Sequence, residues 1–389
     1  MHDIKGIPTK AYVVESKDAP FILQDVVLDE IQSHEILVEI LYTGLCHTDI
    51  VVQQGGMPVG GYPAVLGHEG VGVVRKMGAG VSNRSLAPGD VVILSFHTCQ
   101  KCRFCQEGKL GGCVHMTKVN FTKTGRVGPE MNSPVSLPDG RSVYAQFFGQ
   151  SSLSKLVIVP EQSVIKTDLQ IGDHLSCLAA LSCGYMTGAG TVLNAMQPGP
   201  SDTVAVIGMG AVGFSALMAA RALGVQQILA IDVVDEKLHM ATNFGASHII
   251  NSKLFSDINE GVRSVLPDGV DMIIDATGVA AILEASVKAL AHGGTLALVG
   301  VPPPEAYIKI NALEMLISCK KIVGVIEGFS DPHEMIPRLV ELYKQGKFPV
   351  DELSKVYPAE HLDQALDDLK AGKVGFGVTF EECVLVSCY

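Results

Sequence analysis

The chain has 389 residues, 47% of them apolar, and a formal charge of −12. That length gives a prior of two or three domains with substantial cores. The acidic balance excludes the clustered Lys and Arg that nucleic acid or an anionic membrane surface requires, so the expected partners are small molecules, with no nucleic acid and no membrane.

The start, "MHDIKGIPTK", carries no apolar h-region, no apolar run reaches spanning length, and "VSCY" places Cys388 wrongly for prenylation. A cytoplasmic location is the expectation. In that reducing compartment a dense cysteine group reads as a metal or redox site rather than a disulfide framework.

Along the chain, "GLCHTD" first offers Cys46 beside Gly44, and "GHEGVG" offers His68 between Gly67 and Gly70. Glycine lets the backbone turn sharply and approach an ion. Four cysteines follow, Cys99, Cys102, Cys105 and Cys113, at the spacing C-x2-C-x2-C-x7-C. Two tight turns supply three thiolates, and a loop with Gly108, Gly111 and Gly112 swings in the fourth. Zn(II) is the default ion for four thiolates, and the x3-C-P ending of an iron–sulfur run is absent. A closed four-sulfur site leaves no open coordination position, so its role is structural. In "LSCGYMTGAG" Cys183 is again followed by glycine. Cys46, His68 and Cys183 together have the composition of a catalytic zinc, three protein ligands and one position for substrate.

Downstream, strand and helix alternate. "TVAVIG" (203–208) reads as a strand and "MGAVGFSALMAARALG" as a helix, carrying Gly208, Gly210 and Gly213 as G-x-G-x-x-G. The glycines permit the tight turn, the close approach of a pyrophosphate to the helix N-terminus, and close helix–strand packing. A second strand, "ILAIDV", ends in Asp232, nineteen residues after Gly213, where a carboxylate can accept from the adenosine ribose hydroxyls. Strands at "HII", "VDMIIDATG", "GTLALVG" and "KKIVGVIEG" follow, with "AAILEASVKALAHGG" as a helix. This alternation predicts an α/β fold with a doubly wound parallel sheet, its ligand at the carboxyl ends of the strands.

"MQPGPSD" breaks the chain before the first of these strands and "GFSDPHEMIP" after the last. Residues 196–329 are therefore expected to form the nucleotide domain. Residues 1–195 and 330–389 form the other, the latter segment adding a helix "RLVELYKQG", an extended "KVYP", a helix "HLDQALDDLKAG" and a closing strand.

Through "GLCHTD", "GHEGVG", the four-cysteine lobe, "CGYMTGAG", "GMGAVG" and "LVGVPP", the chain resembles the zinc-containing medium-chain alcohol dehydrogenases from end to end. Within them it looks most like the aryl and benzyl alcohol dehydrogenases, through "VVILSFHTCQKC", "FFGQSS" and "IEGFSDPHEMIPRLVELYKQGKFPVDEL". The resemblance implies a GroES-like β-rich catalytic domain with a structural-zinc lobe at about 97–115, and a Rossmann domain binding NAD(H). It also implies two Zn(II) per subunit and a homodimer, with a tetramer as the alternative. The long segment between Cys113 and Phe147 leans towards the dimer.

Roles then follow from matching positions. Cys46, His68 and Cys183 would hold the catalytic zinc, Asp49 would orient the second nitrogen of His68, and Glu69 would stand behind the metal. Thr48 would carry the alcohol's proton as hydride passes to the nicotinamide. Gly208, Gly210, Val212 and Gly213 would cradle the pyrophosphate, Asp232 and Lys237 the adenosine ribose, and Thr187, Val299 and Val301 the nicotinamide side. Phe96, Phe147 and Phe148 would wall the substrate pocket, although buried aromatics also serve as plain core.

The chain departs from the family in carrying His47 and Gly375 where arginines often grip the pyrophosphate, and Val51 where a histidine often receives the relayed proton. The proton must then leave by water or through His47. The function expected is an NAD(H)-linked alcohol dehydrogenase or aldehyde reductase for primary aromatic or allylic substrates, with a biosynthetic reductase included. Two other readings are carried. One is a catalytically silent, zinc-stapled nucleotide-binding protein, and the other a glutathione-adduct formaldehyde dehydrogenase, which would want basic pocket residues. If the four cysteines form a closed site, Cys105→Ser should release one zinc per chain and cause unfolding or aggregation, because metal binding energy there is folding energy. Unchanged metal content and an unchanged melting temperature would refute that assignment.

Overall fold

The computed structural model describes residues 6–57, 60–121, 126, 132–171, 175–371 and, by backbone alone, 378–381. Gly375 and Cys388 lie outside the described residues, as does part of the segment between Cys113 and Phe147. The chain divides into two compact units. One comprises Met1–Cys183, Pro332–Val340 and Val350–Tyr389, and the other Gly184–Asp331 and Glu341–Pro349. The first division falls at Cys183, ahead of the Met196–Asp202 punctuation, so the helix Gly184–Gly190 belongs with the second unit.

The first unit begins with β1 (Ile7–Val14), β2 (Phe21–Leu28), β3 (Glu35–Leu45), β4 (Ala64–Val65), β5 (Gly70–Met77), β6 (Val91–Leu94), β7 (Val135–Ser136), β8 (Ser142–Val143), β9 (Leu156–Pro160) and β10 (Val164–Lys166). The second contains β11 (Thr203–Ile207), β12 (Gln227–Asp232), β13 (His248–Asn251), β14 (Val270–Asp275), β15 (Leu290–Leu298) and β16 (Lys321–Gly324). The chain then returns to the first unit with β17 (Lys355–Pro358) and β18 (Val378–Glu381).

The first unit holds a five-stranded sheet in the order β4-β1-β2-β7-β8 and a seven-stranded sheet β10-β6-β5-β3-β18-β17, with β9 also paired to β3. Pairing is antiparallel apart from β17 with β18. β3 is the central strand because its side chains are buried along almost the whole length. Ile36, Val38 and Ile40 pack with Val74, Val92, Leu94, Val157 and Val159. The register of β3 against β5 sets Thr43 opposite Gly70, and Gly44 N donates to Glu69 O at 2.8 Å. Two motifs separated in sequence are thus clamped side by side at one end of the sheet. Near the other end of β3, buried Arg126 donates from Nε and Nη2 to the Glu35 carboxylate at 2.9 and 3.1 Å, fixing one point of the partly described segment.

The second unit holds the parallel sheet in the order β13-β12-β11-β14-β15-β16, the doubly wound arrangement expected from the alternating motifs. β11 reads "TVAVI" because β-branched and small apolar residues suit a strand covered on both faces. Ala205, Leu229, Ile231, Ile273 and Leu296 are at or near zero exposure in its core. Truncating such a residue costs on the order of 2–5 kcal/mol.

Two boundaries differ from the sequence-based expectation. The helix expected over 280–294 ends at Ala289, and β15 starts at Leu290, its pairing with β14 outweighing the helical pattern of "ALAHGG". Within "GFSDPHEMIP" the second unit's long segment ends at Asp331, and the helix expected at "RLVELYKQG" starts earlier, at Pro332, and runs to Lys344. Pro332 occupies the first helical position, where a missing N–H costs nothing, and Pro337 is tolerated within the helix. No single helix among the described residues is long and apolar enough to cross a membrane.

Candidate functional site

Cys46 caps the N-terminus of the helix His47–Gln53, directly after β3. Asp49, with no solvent exposure, accepts from Cys46 N at 3.1 Å and from Gly67 N at 2.9 Å, and its Oδ1 lies 3.2 Å from His68 Nδ1. That contact leaves the lone pair of His68 Nε2 for something else. Nε2 is buried and has no hydrogen-bond partner of acceptable geometry among the described residues. One donor atom each from Cys46, His68, Glu69 and Cys183 lies within 4.8 Å of the others. Two sulfurs, an imidazole nitrogen and a carboxylate suit zinc, and the orphaned nitrogen is the atom a metal would satisfy.

Glycine is required at both motifs. A Cβ on Gly44 would collide with the Glu69 carboxylate, and Gly67 has φ +86°.

The electrostatics fit a metal-ligand set. The Cys46 thiol is held well below its ordinary value, chiefly by its hydrogen bond with Cys183, against burial and with attraction from the His68 charge. Burial pulls the His68 pKa down, but the Asp49 and Cys46 charges outweigh it and raise the pKa well above the usual imidazole range. Metal binding at such a pair would release a proton, since a ligating thiol and imidazole must both be deprotonated.

Several residues that support this cluster escaped the sequence reading. Gln150 donates from Nε2 to His68 O at 2.7 Å and accepts from Gly70 N at 2.9 Å, so one buried amide braces both ends of the "HEG" turn. Ser152 Oγ accepts from Glu69 N at 3.3 Å and lies 2.7 Å from Thr43 Oγ1. The loop carrying them is unusual. Gln146, Phe148 and Ser151 have φ of 61°, 51° and 55°, with Gly149 at 70°. Such left-handed non-glycine residues cost about 1–3 kcal/mol each and persist only when the surroundings over-determine them. Here Gln146 donates to Ile158 O at 3.0 Å, and Ser151 Oγ accepts from Phe147 N at 2.9 Å while donating to Val65 O at 2.7 Å.

The result is an aromatic wall on the imidazole. Phe148 stacks on His68 at 4.6 Å, Phe147 meets it edge-on at 5.6 Å, and Phe121 packs against both phenylalanines. Phe96 is buried two residues beyond β6. Thr48 Oγ1 lies 3.6 Å from Cys46 Sγ, His47 is exposed, and Val51 is half-buried.

Among the four cysteines of the lobe, the sulfurs again lie within 4.8 Å of one another, with Cys102 to Cys105 at 3.5 Å and Cys99 to Cys105 at 3.9 Å. Gln100, at φ 58°, makes the first turn, the helix Arg103–Gln106 the second, and Gly108, at φ 74°, opens the loop to Cys113. Backbone N–H groups of Cys105 and Val114 hold the Cys102 thiol down at about 6. Burial, with hydrogen bonds among the thiols, pushes Cys105 up to about 12, and burial also raises Cys113. Four thiols sharing protons this unequally form a cluster in which an ion can replace the protons.

In the second unit, Gly208 (φ +91°) turns the chain after β11, Gly210 caps the helix Ala211–Ala222, and a Cβ on Gly213 would strike Gly208 O. Helix and strand therefore approach as the pyrophosphate motif demands. Asp232 already accepts from Met209 N at 2.6 Å and from Val233 N and Val234 N at 2.7 and 3.0 Å, so it shapes the glycine turn. Val212 and Lys237 are half-buried near these ends, Val299 is half-buried, and Val301 is exposed. Thr187 Oγ1 donates to Glu327 at 3.3 Å. Asp275, fully buried at the end of β14, was not anticipated. Its carboxylate accepts from Thr277 N, Gly278 N and Thr277 Oγ1, and burial raises its pKa against those donors.

Known proteins match this arrangement. Residues 32–169 match the model of the alcohol dehydrogenase GroES-like domain, and residues 211–345 that of the zinc-binding dehydrogenase. Geraniol dehydrogenase from Castellaniella defragrans is 33% identical over 369 residues, spanning 94% of this chain and 96% of that protein. A probable S-(hydroxymethyl)glutathione dehydrogenase from Schizosaccharomyces pombe is 32% identical over 95% of this chain and 96% of its own length. The crystal structure of benzyl alcohol dehydrogenase from Acinetobacter calcoaceticus is 35% identical and superposes with a TM-score of 0.89, covering 97% of this chain and all of that one. The chain belongs to the zinc-dependent medium-chain alcohol dehydrogenases, with a GroES-like domain and a Rossmann-type parallel-sheet domain.

Proposed function

We propose that this protein is an NAD(H)-linked, zinc-dependent dehydrogenase that interconverts primary aromatic or allylic alcohols and their aldehydes. The observation that carries the reading is the partly buried cluster of Cys46, His68 and Cys183 with the orphaned His68 Nε2. Cys46, His68 and Cys183 would hold a catalytic zinc with Glu69 behind it, and Cys99, Cys102, Cys105 and Cys113 a structural one. When bound, the metal supplies Lewis acidity to the substrate oxygen, and the dinucleotide accepts or donates the hydride.

The chain's own part is positioning and proton movement. Asp49 fixes the His68 ring so that Nε2 faces the cluster. Thr48 Oγ1, beside Cys46 Sγ, takes the alcohol's proton in oxidation and returns one in reduction. Val51 has no group to receive that proton, so solvent and the exposed His47 provide the exit. Phe147 and Phe148, backed by Phe121, present an apolar, ring-lined surface against His68, which favours flat unsaturated substrates over polar adducts, and Phe96 would extend that wall. Relatives named for geraniol and for benzyl alcohol support that choice. The relative named as a probable S-(hydroxymethyl)glutathione dehydrogenase makes the glutathione adduct a fair competitor in the same assay.

On the cofactor side, Gly208, Gly210, Val212 and Gly213 would take the pyrophosphate and Asp232 with Lys237 the ribose. Thr187, Val299 and Val301 would take the nicotinamide side. We also propose a homodimer. β16 is an edge strand, and the preceding helix Ala312–Ile317 exposes Leu313, Leu316 and Ile317 at 64, 73 and 64%. A second copy pairing along that edge would cover them.

Zinc analysis with absorbance at 340 nm tests the main reading. Two zincs per chain and NADH-dependent reduction of aromatic or allylic aldehydes are expected, with Thr48→Ala lowering turnover by about 10²-fold while keeping both zincs. One zinc and no turnover would leave only a nucleotide-binding protein, and a preference for the hydroxymethyl adduct of glutathione would replace the substrate class. For the cofactor, an Asp232 carboxylate on the adenosine ribose would repel a 2′-phosphate and Val233 and Val234 bring no cation, so NAD should be preferred over NADP by at least about tenfold, or 1.4 kcal/mol. Equal kcat/KM for the two would refute the ribose assignment. For assembly, sedimentation should give a dimer, and Leu316→Asp should shift it towards monomer; a monomeric parent protein would overturn the proposal.

A further inference from the structure

The carboxyl ends of β14, β15 and β16 lie side by side, and ligands of open parallel sheets bind outside such ends. They lead into Asp275, into Val299–Val301, and into Val325–Glu327, where Val325 N still donates to Leu298 O at 3.0 Å. Two of the three therefore end in a buried acid. Asp275 commits both carboxylate oxygens to its own turn, through Thr277 and Gly278, and its position is a structural one. Glu327 differs.

Glu327 is 6% exposed, and it opens a run of three left-handed residues, with φ of 49°, 60° and 51° at Glu327, Gly328 and Phe329. Two of the three are not glycine, so the run is strained and must be held by its surroundings. The hold is visible. A Cβ on Gly328 would stand 2.6 Å from the Gly190 α-carbon, Asn194 Nδ2 donates to Gly328 O at 3.0 Å, and Ser330 N donates to Glu327 O at 3.0 Å. This packing fixes the Glu327 side chain within reach of Thr187, whose hydroxyl donates to its Oε2 at 3.3 Å. Thr187 is itself anchored, its carbonyl accepting from Thr191 Oγ1 at 2.7 Å. A strained backbone thus holds a buried carboxyl group beside a fixed hydroxyl at the ligand end of the sheet.

The nicotinamide ring is a cation in NAD+ and neutral in NADH. A buried carboxylate is poorly screened, so it discriminates strongly between those two charge states. We infer that Glu327 is a specificity-determining residue for the oxidation state of the cofactor. Its carboxylate, oriented by Thr187, favours the pyridinium ring of NAD+ over the neutral ring of NADH. The inference rests on the proposed placement of Thr187 on the nicotinamide side.

Equilibrium binding to the full-length, zinc-loaded protein tests it, with NAD+, NADH and ADP-ribose as the three probes. ADP-ribose lacks the ring and reports the rest of the site alone. In Glu327→Gln, which keeps an acceptor for Thr187 and removes the charge, the ratio of NAD+ to NADH affinity should fall by about fivefold or more, with ADP-ribose affinity unchanged. Glu327→Asp should retain most of the parent ratio. Should the glutamine variant not fold, Glu327→Ser removes the charge, leaves room for water, and takes the same measurement. An unchanged ratio in a folded neutral variant, or equal loss for both dinucleotides, would overturn the inference while leaving the enzyme reading intact. A parent protein that binds none of the three probes would overturn the dinucleotide reading and this inference with it.

Discussion

The cluster of Cys46, His68, Glu69 and Cys183, which could hold a metal, depends on one buried carboxylate. Asp49 accepts from the amide that starts a helix, from the amide of Gly67, and lies against the imidazole of His68. A carboxylate without solvent is costly unless its lone pairs are used, and here three groups from two separate segments use them. The same contacts that make the burial tolerable therefore fix Cys46 relative to His68. Orientation of the histidine and stability of the turn are one property, because the atom that holds Nδ1 also holds the backbone behind it. The sheet makes this possible. Only the antiparallel register of β3 with β5 brings "GLC" beside "GHEG", and only glycine at position 44 leaves room for Glu69 between them.

The cysteine lobe reaches a comparable cluster by the opposite route. Its four sulfurs come from fifteen consecutive residues, and their approach is set by local turns at Gln100 and Gly108 and by backbone amides aimed at Cys102. Little apolar burial assists it. Leu110, Gly111 and Cys113 are buried, while Phe104 is 36% exposed. A lobe with so small a core needs a cross-link, and four thiols with unequal proton affinities supply the place for one. The His68 cluster is braced by buried hydrogen bonds from distant segments, whereas the lobe has only its local turns and its four thiols.

That contrast also explains what could be read from the sequence. The cysteine spacing, the G-x-G-x-x-G turn and the strand–helix alternation are local or periodic signals, and the lobe and the parallel, doubly wound sheet follow from them. The donors Cys46, His68 and Cys183 are distant in sequence, and they were grouped by composition and by resemblance, not by spacing. What supports them was not legible. Nothing around Gln150 or Ser152 signals that one braces the "HEG" turn and the other the Glu69 amide, since both contacts cross eighty residues or more. Phe121 joins the aromatic cluster from a short helix of its own. Asp275 and Glu327 look like ordinary strand-end acids until their burial is seen. The misjudged helix end at Leu290 has a related cause: pairing with β14 decided it against the helical pattern.

Backbone strain is distributed in the same pattern. Nine non-glycine residues among those described have positive φ. Gln100 stands between two lobe cysteines, Gln146, Phe148 and Ser151 in the loop against His68, and Glu327 and Phe329 at the ligand end of the parallel sheet. These six serve the three places where chemistry is expected, and each is held by contacts that a relaxed loop would not need. An extended chain alternates its side chains between two faces, whereas a left-handed residue breaks that alternation and can turn neighbouring side chains to the same side. Phe147 and Phe148 show the consequence: adjacent in sequence, both place their rings on one imidazole. Six such residues, at about 1–3 kcal/mol each, are a load comparable with the whole stability of a domain. The buried sheets on either side carry it, and the geometry of the sites is what the excess stability of those cores makes possible.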